Sequence, residues 1–115
     1  MSKHSDLTFL KSFTKDDSAK ISKYVNMFLD SAPKALEQMN QQLSVADWPS
    51  LKISAHSMKS QLRYMGMAAA EQLAITIERS SSEQTALDQL PQVLTKLNEI
   101  MTEAFVELKS EISAL

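Results

Sequence analysis

One histidine and one lysine in the chain have types and a spacing that suit phosphoryl chemistry. The stretch SAHSMKSQLRYMGM, residues 54–67, contains His56 and, three positions later, Lys59. An exposed imidazole is mostly neutral near pH 7 and offers a nucleophilic nitrogen. On a helix, an ammonium at i+3 can lie beside that imidazole and stabilise incoming phosphoryl oxygens. The pair therefore fits a phosphoryl acceptor held on a rigid helix for in-line transfer.

The helix that would position this pair is predicted over residues 48–65. Its apolar stripe, at helical spacing, is Leu51, Ala55, Met58, Leu62 and Met65. Asp47 can cap its start, and Pro49 falls in its first turn, where a missing N–H costs little. At about 100° per residue, His56 lies roughly 140° from the centre of the stripe. We therefore expect His56 to face solvent.

The face around His56 is cationic, with two apolar residues along one edge. Its other members are Lys52, Ile53, Lys59, Ser60, Arg63 and Tyr64. Taken alone, such a face is usually a solvated helix surface, and a histidine on it usually has no function. Ile53 and Tyr64 could also pack against the N-terminal segment. Gly66 alone indicates only a helix end, where glycine often adopts the left-handed conformation.

A long apolar stripe precedes this helix and predicts a second one. The stripe runs from Ile21 to Ala46 at helical spacing and keeps its phase across Pro33. A proline inside a helix removes a backbone donor and bends or breaks the helix. Because the stripe keeps its phase, we expect one bent helix and not two separate ones. Thr14 and Asp17 resemble a capping pair at its start.

Two further helices are predicted after Gly66, and a short one at the N-terminus. The first spans about residues 67–80 and precedes the polar stretch SSSEQT. The last has near-heptad leucines from Leu87 onward, with Pro91 in its first turns if Asp88 is the cap, and otherwise at a kink. The N-terminal helix would cover the core with Leu7, Phe9, Leu10 and Phe13.

Composition supports an all-α fold in one domain. The 115 residues include one Gly, three Pro and no convincing alternation of apolar and polar residues. Amphipathic helices with short connections predict an antiparallel four-helix bundle over about residues 17–113, with a short N-terminal helix. We expect a single domain covering 1–115.

Several functional classes are excluded by what the sequence lacks. The net charge is −2 without a basic patch, which argues against nucleic-acid binding, and there are no cysteines for disulfides or thiolate zinc sites. Neither a membrane-spanning segment nor a signal peptide is present, so we expect a cytoplasmic protein. The sequence also lacks the common motifs of metal sites and enzymes, namely Glu-x-x-His pairs, H-E-x-x-H, the P-loop, G-x-S-x-G and the kinase motifs. This argues against a metal site and against an independent enzyme.

The stretch AHSMKSQLRYMGM resembles the signature of histidine-containing phosphotransfer (HPt) domains, H-x-[LM/F]-K-G-x-[SA]-x-x-[LM]-G. The matching positions are His56, Met58, Lys59, Met65 and Gly66. The DW pair that begins nine residues before the histidine and the segment FLDSAPKALEQM are also similar to the family's second and third helices. The resemblance covers about residues 20–113.

The resemblance implies a carrier of phosphoryl groups in two-component signalling. His56 would accept the group from a receiver-domain aspartate or a hybrid sensor kinase, Lys59 would assist electrostatically, and a response regulator would receive it. The receiver would supply the bound Mg²⁺ and most of the catalysis, so the chain itself needs no cofactor. The partner-binding residues would be Lys52, Ile53, Ser60, Arg63 and Tyr64, on a chain that works as a monomer.

The chain departs from the family pattern just after the lysine. Ser60 stands where glycine is usual and gives a receiver loop room to approach, although serine is also small. The next positions are Gln61, Leu62 and Arg63, of which Leu62 should point to the core. Arg63 projects beside His56 and is expected to influence the choice of receiver.

Two other functions remain compatible with the sequence. A non-phosphorylated adaptor or inhibitor would bind a receiver domain or histidine kinase without using His56, which the retained His56 and Lys59 argue against. A helical subunit of an unrelated assembly would expose a large apolar face, and the stripes leave none unused. Because the sequence starts with methionine and ends soon after the last stripe, we expect a free-standing carrier.

Overall fold

The computed structural model describes residues 3–115, so Met1 and Ser2, part of the predicted 1–115 domain, lie outside the described residues. The elements in chain order are α1 (Thr8–Phe13), α2 (Ser18–Ser44), α3 (Trp48–Tyr64), α4 (Ala68–Glu83), a 3₁₀ turn (Leu87–Gln89) and α5 (Leu90–Ser113). Residues 3–115 contain no strand. The all-α prediction is therefore confirmed.

The four long helices close into a bundle. α3 packs against α2 and α4, and α5 packs against α4 and α2. The 27 residues of α2 should span about 40 Å at 1.5 Å per residue. The molecule measures 42 Å along its longest axis, so α2 sets its length. The predicted four-helix bundle with a short N-terminal helix is confirmed.

Apolar stripes of the four helices meet in one continuous core. From α3, the buried residues are Leu51, Ala55, Met58 and Leu62, as the stripe predicts. Leu62 has no exposed surface, so this departure from the family pattern changes packing and not the surface. Pro33 lies inside α2, which stays a single helix.

Thr14 and Asp17 do not act as a capping pair. Asp17 caps α2, since its carboxylate accepts the N–H of Lys20 at 3.2 Å. Thr14 is buried at the end of α1, where its hydroxyl donates to the Leu10 carbonyl at 2.8 Å. The two residues serve different helices, because a tight turn separates them.

The predicted boundaries around α4 and α5 also need correction. α4 continues to Glu83, and both Ser80 and Ser81 are buried, because small side chains can pack between helices without ending one. Asp88 lies in the 3₁₀ turn and does not cap α5, which begins at Leu90 without a side-chain cap. Pro91 lies in the first turn of α5.

α2 and α3 end in the same hydrogen-bonded motif. In each, the N–H groups of the two residues past the cap donate to carbonyls of the last helical turn. The left-handed position is Ala46 after α2, with φ of 56°, and Gly66 after α3, with φ of 65°. Ala46 is therefore exposed beyond the helix, although the apolar stripe predicts it as the last core position.

Candidate functional site

α3 presents His56 to solvent as the wheel predicts. Asp47 caps the helix by accepting the N–H of Ser50 at 3.2 Å, and Pro49 lies in the first turn. With one side of α3 fixed in the core, the opposite side must face outward. The His56 side chain is 66% exposed.

A carboxylate that the sequence prediction missed joins His56 to Lys59. Glu78 of α4 accepts from His56 Nδ1 through Oε2 at 2.6 Å, and from Lys59 Nζ through Oε1 at 2.8 Å. The side chains of Lys59 and Glu78 are only 23% and 20% exposed. The three groups form one network along the groove between α3 and α4.

Electrostatics fix the proton of His56 on one ring nitrogen. The hydrogen bond from Lys59 holds the pKa of the Glu78 carboxyl below its usual range, and the bond from His56 adds to this against the opposing effect of burial. An ionised carboxylate can only accept hydrogen bonds. Nδ1 of His56 must then be the donor, so the neutral form of the ring carries its lone pair on Nε2.

This arrangement suits nucleophilic attack by Nε2. The Nδ1 side of the ring is bound to the protein, while the ring as a whole is open to an approaching partner. Bond formation at Nε2 places positive charge on the ring, and the adjacent Glu78 carboxylate stabilises that charge. Because Glu78 is already fixed by Lys59, little reorganisation is needed during the reaction.

The other predicted surface residues lie around His56 on α3. Lys52, Ile53, Ser60 and Tyr64 are all exposed. Arg63 is exposed too, and its Nε and Nη2 bind Glu71 Oε2 at 2.8 and 2.7 Å. The guanidinium is therefore held in place by α4.

Four aromatic rings adjoin this face on the side away from Glu78. Phe9 contacts Tyr64 with ring centroids 5.6 Å apart, Phe13 stacks on Phe9 at 6.3 Å, and Phe13 meets Tyr24 edge-on at 6.1 Å. We call these rings the aromatic cluster. Phe9 and Phe13 are 49% and 62% exposed, so the prediction that they cover the core is wrong for these two residues.

α1 exposes these rings because its other side supplies the core contacts. Leu7 and Leu10 are buried, at the spacing of one helix face. The apolar pattern could not separate the two faces, since both are apolar in this short helix. Tyr64 does pack on the N-terminal segment, as one alternative held, but half of its surface stays open.

Gly66 has a role beyond ending α3. The N–H of Asp6 donates to the Met65 carbonyl at 3.0 Å, so the N-terminal segment passes directly over the turn. A Cβ on Gly66 would collide with the Asp6 carbonyl oxygen and lie 2.8 Å from the Asp6 carbonyl carbon. Only glycine permits both this approach and the positive φ.

Glu78 was missed because its role depends on the packing of two helices. A wheel of α4 places it at the edge of the buried stripe, next to Ile77. That position shows only that the side chain lies at a helix–helix boundary. Which residues of α3 it meets, 22 positions earlier in the case of His56, depends on the rotation of the helices.

Comparison with known proteins identifies the family. The sequence matches the Hpt domain over residues 23–115. The chain belongs to the Hpt domain family. The solved structure of histidine-containing phosphotransfer protein B (HptB) from Pseudomonas aeruginosa PAO1 is similar over 100% of this chain and 99% of that one, with a TM-score of 0.88 and 18% identity. No curated protein matches the sequence.

Family membership determines the general role of the protein. Hpt domains are phosphocarriers, not catalysts, and act in two-component phosphorelays with receiver domains and kinases. The adaptor alternative is accordingly not favoured. No helix in the part of the chain that the structure describes combines the length and apolar character needed to cross a membrane. The match begins at residue 23, so α1, with Phe9 and Phe13, precedes it.

Proposed function

We propose that His56 is the phospho-acceptor of a phosphorelay intermediate. It would take a phosphoryl group from a receiver-domain aspartate, or from a hybrid sensor kinase, and pass it to a response regulator. The observation that supports this role is an exposed histidine whose Nδ1 is bound by the ionised Glu78, in a chain of the Hpt family. The lysine at the predicted spacing belongs to the same network.

The transfer step balances without an external acid or base. The Nε2 lone pair of His56 attacks the phosphorus of the aspartyl phosphate and forms an N–P bond. The P–O bond to the aspartate breaks, and its electron pair leaves with the aspartate carboxylate. The phosphorylated ring keeps its proton on Nδ1 and carries a positive charge, which Glu78 neutralises. Transfer to a second receiver is the reverse of this step.

Most of the catalysis would come from the partner. The receiver would contribute the aspartate and a bound Mg²⁺, while this chain contributes the oriented imidazole and uses no cofactor or metal of its own. Lys59 supports the reaction electrostatically, both by its charge near the incoming phosphoryl oxygens and by holding the Glu78 carboxylate in position. The proposed catalytic pair is therefore His56 and Lys59, with Glu78 as a positioning residue.

The docking surface for receivers would combine a polar and an apolar part. The polar part consists of Lys52, Ser60 and Arg63 near His56, and the apolar part of Ile53 with the aromatic cluster. Exposed aromatic side chains are typical anchors of protein interfaces, and cations around the transferred group assist docking of an anionic partner. Ser60 leaves room beside His56 for a receiver loop.

Single-domain organisation over 1–115, a monomeric state and a cytoplasmic location stay predictions. A monomer suits the docking surface, because its rings must be open to a receiver and not covered by a second copy.

A phosphotransfer assay with both histidines varied would test the proposal. The chain contains two histidines, so His4→Gln is a matched control for His56→Gln. Each protein would be mixed with Mg²⁺ and receiver domains phosphorylated by acetyl phosphate. We expect acid-labile, base-stable label on the native chain and the His4 variant, and none on the His56 variant.

The same assay separates the carrier from the adaptor. Receiver binding without label on the native chain would support an adaptor, and in cells His56→Gln would then leave the signalling output intact. Label that persists on His56→Gln would show that another residue accepts the phosphoryl group.

A further inference from the structure

Residues 3–6 form a strap that runs from α5 to the end of α3 and leads into α1. On α5, Glu107 accepts the N–H of His4 at 2.8 Å and both the N–H and the hydroxyl of Ser5 at 3.3 Å. The His4 ring pairs with Glu103 at 3.0 Å, and the Lys3 ammonium pairs with Glu111. These donors of Lys3, His4 and Ser5 thus meet carboxylates on one face of α5.

The far end of the strap is fixed by backbone contact. Asp6 donates its N–H to the Met65 carbonyl, where Gly66 lets the two backbones approach. The side chain of Asp6 accepts the N–H of Thr8 at 2.9 Å, at the start of α1. The strap therefore fixes both the position and the direction in which α1 begins.

α1 supplies half of the aromatic cluster. Phe9 lies against Tyr64 of α3, and Phe13 lies against Tyr24 of α2. Leu7 and Leu10 hold α1 to the core, but a six-residue helix is too short to be stable by itself. The orientation of its exposed rings must then depend on what holds the preceding residues.

We propose that the strap is a charge-dependent latch that orders α1 and thereby sets the affinity of the docking surface for receiver domains. This inference rests on the proposed function. Three carboxylates at i, i+4 and i+8 on α5 hold the strap, Glu103, Glu107 and Glu111. The bond between Lys3 and Glu111 is an ion pair near the surface, so raised ionic strength weakens it. When the latch opens, Phe9 and Phe13 lose their fixed positions while His56 and Glu78 keep theirs.

Glu107→Gln is the variant that opens the latch with the least other change. It keeps the size of the side chain and an acceptor oxygen, but removes the charge that strengthens the bonds from His4 and Ser5. It also turns Oε2, which accepts the His4 N–H at 3.1 Å, into an amide nitrogen that cannot accept. Glu99→Gln is the control, since it makes the same change on an exposed position of α5. If Glu107→Gln unfolds, the pair of changes Glu103→Gln and Glu111→Gln removes the carboxylates that bind His4 and Lys3 and leaves the Glu107 bonds.

Three measurements on the full chain test the latch. They are amide exchange of α1, the receiver concentration at half-maximal transfer, and labelling of His56 by phosphoramidate, a small donor that needs no docking. For Glu107→Gln we expect about tenfold faster exchange in α1 and a severalfold higher half-saturating receiver concentration. The maximal rate and the phosphoramidate labelling should stay at the native level, as should every value for Glu99→Gln.

Each contrary result has one meaning. Exchange in Glu107→Gln equal to that in Glu99→Gln would show that the strap does not hold α1. Faster exchange with an unchanged half-saturating concentration would show that α1 order does not affect docking, and would overturn the regulatory part. Absence of phosphoramidate label on the native chain would contradict the proposed function, while the exchange data would still decide whether the strap acts as a latch.

Discussion

In the proposed transfer, Glu78 determines the state in which His56 would meet a phosphoryl donor. Its carboxylate holds the proton on Nδ1 at 2.6 Å and stands ready for the positive charge that forms on the ring. Lys59 binds the other oxygen of the same carboxylate and lowers its pKa further. The proposed transfer therefore depends on His56, Lys59 and Glu78 together, of which His56 and Lys59 belong to the family signature.

This network predicts strong coupling between Lys59 and Glu78. Glu78→Gln keeps an acceptor for Nδ1 but loses the charge, so we expect three- to tenfold slower transfer, on the order of 1 kcal/mol. Lys59→Gln should slow transfer in the native background and much less when Glu78 is already Gln, with a coupling energy of roughly 1 kcal/mol. Single-turnover transfer rates of the four proteins would measure it.

Lys52→Gln is the matched control for that cycle. It removes one positive charge from the same face of α3 without touching Glu78, so its effect should add to that of Glu78→Gln. Equal slowing by Lys59→Gln in both backgrounds would show that Lys59 acts on the phosphoryl group independently of the carboxylate.

Residue patterns could predict one half of the site and not the other. The exposure of His56 and the cap at Asp47 follow from spacing within one helix, because the core stripe fixes its rotation. Glu78 lies on another helix, α4. Its segment ITIERS, residues 75–80, has the pattern of any amphipathic helix and does not mark Glu78 as functional. Its contact with His56 depends on the packing of α4 on α3, which no local pattern determines.

At the scale of elements, the turns after α2 and α3 place different residues at the same left-handed position. Ala46 must adopt φ of 56° despite its Cβ, whereas Gly66 adopts φ of 65° without strain. Around Ala46 the turn is open, with the side chain exposed. Around Gly66 the backbone of Asp6 occupies the space that a side chain would need.

Reciprocal substitutions should therefore have opposite effects on stability. Ala46→Gly should stabilise the protein by about 0.5–1 kcal/mol, because relief of left-handed strain exceeds the added freedom of the unfolded chain. Gly66→Ala should destabilise it by more than about 2 kcal/mol, since strain adds to the collision with Asp6. Urea unfolding would give both values.

A destabilisation by Gly66→Ala of only about 1 kcal/mol would contradict the close approach of Asp6, because strain at φ alone accounts for that amount.

The apolar pattern predicts where α1 lies but not which of its faces is buried. In a six-residue helix with apolar residues on both faces, contacts with α2 and α3 make that choice.

At the scale of the whole molecule, the bundle is a rigid support for two adjoining surfaces. α3 and α4 hold the groups that we propose to react, while α1, α2 and α3 together expose the aromatic cluster. Part of this cluster precedes the residues that match the Hpt domain. The proposed function therefore assigns transfer and receiver docking to separate surfaces and predicts different effects of substitutions in each.

Phe9→Ala and Tyr64→Ala should weaken docking without slowing the chemical step. Each removes an exposed ring, so the half-saturating receiver concentration should rise about five- to thirtyfold, corresponding to about 1–2 kcal/mol, with an unchanged maximal rate. Val106→Ala, which shortens an exposed apolar side chain outside the cluster, serves as the control and should change neither value. A fall in maximal rate alone would instead place these rings in the transfer step.

The most direct test of the account is the position of the phosphorus on the phosphorylated chain. Nuclear magnetic resonance of the protein with ¹⁵N-labelled histidine, after transfer from a receiver, would show which ring nitrogen is coupled to ³¹P. We predict a single phosphohistidine, at Nε2 of His56, with Nδ1 still protonated beside Glu78. Phosphorus on Nδ1 of His56, on His4 or on a residue other than histidine would contradict it.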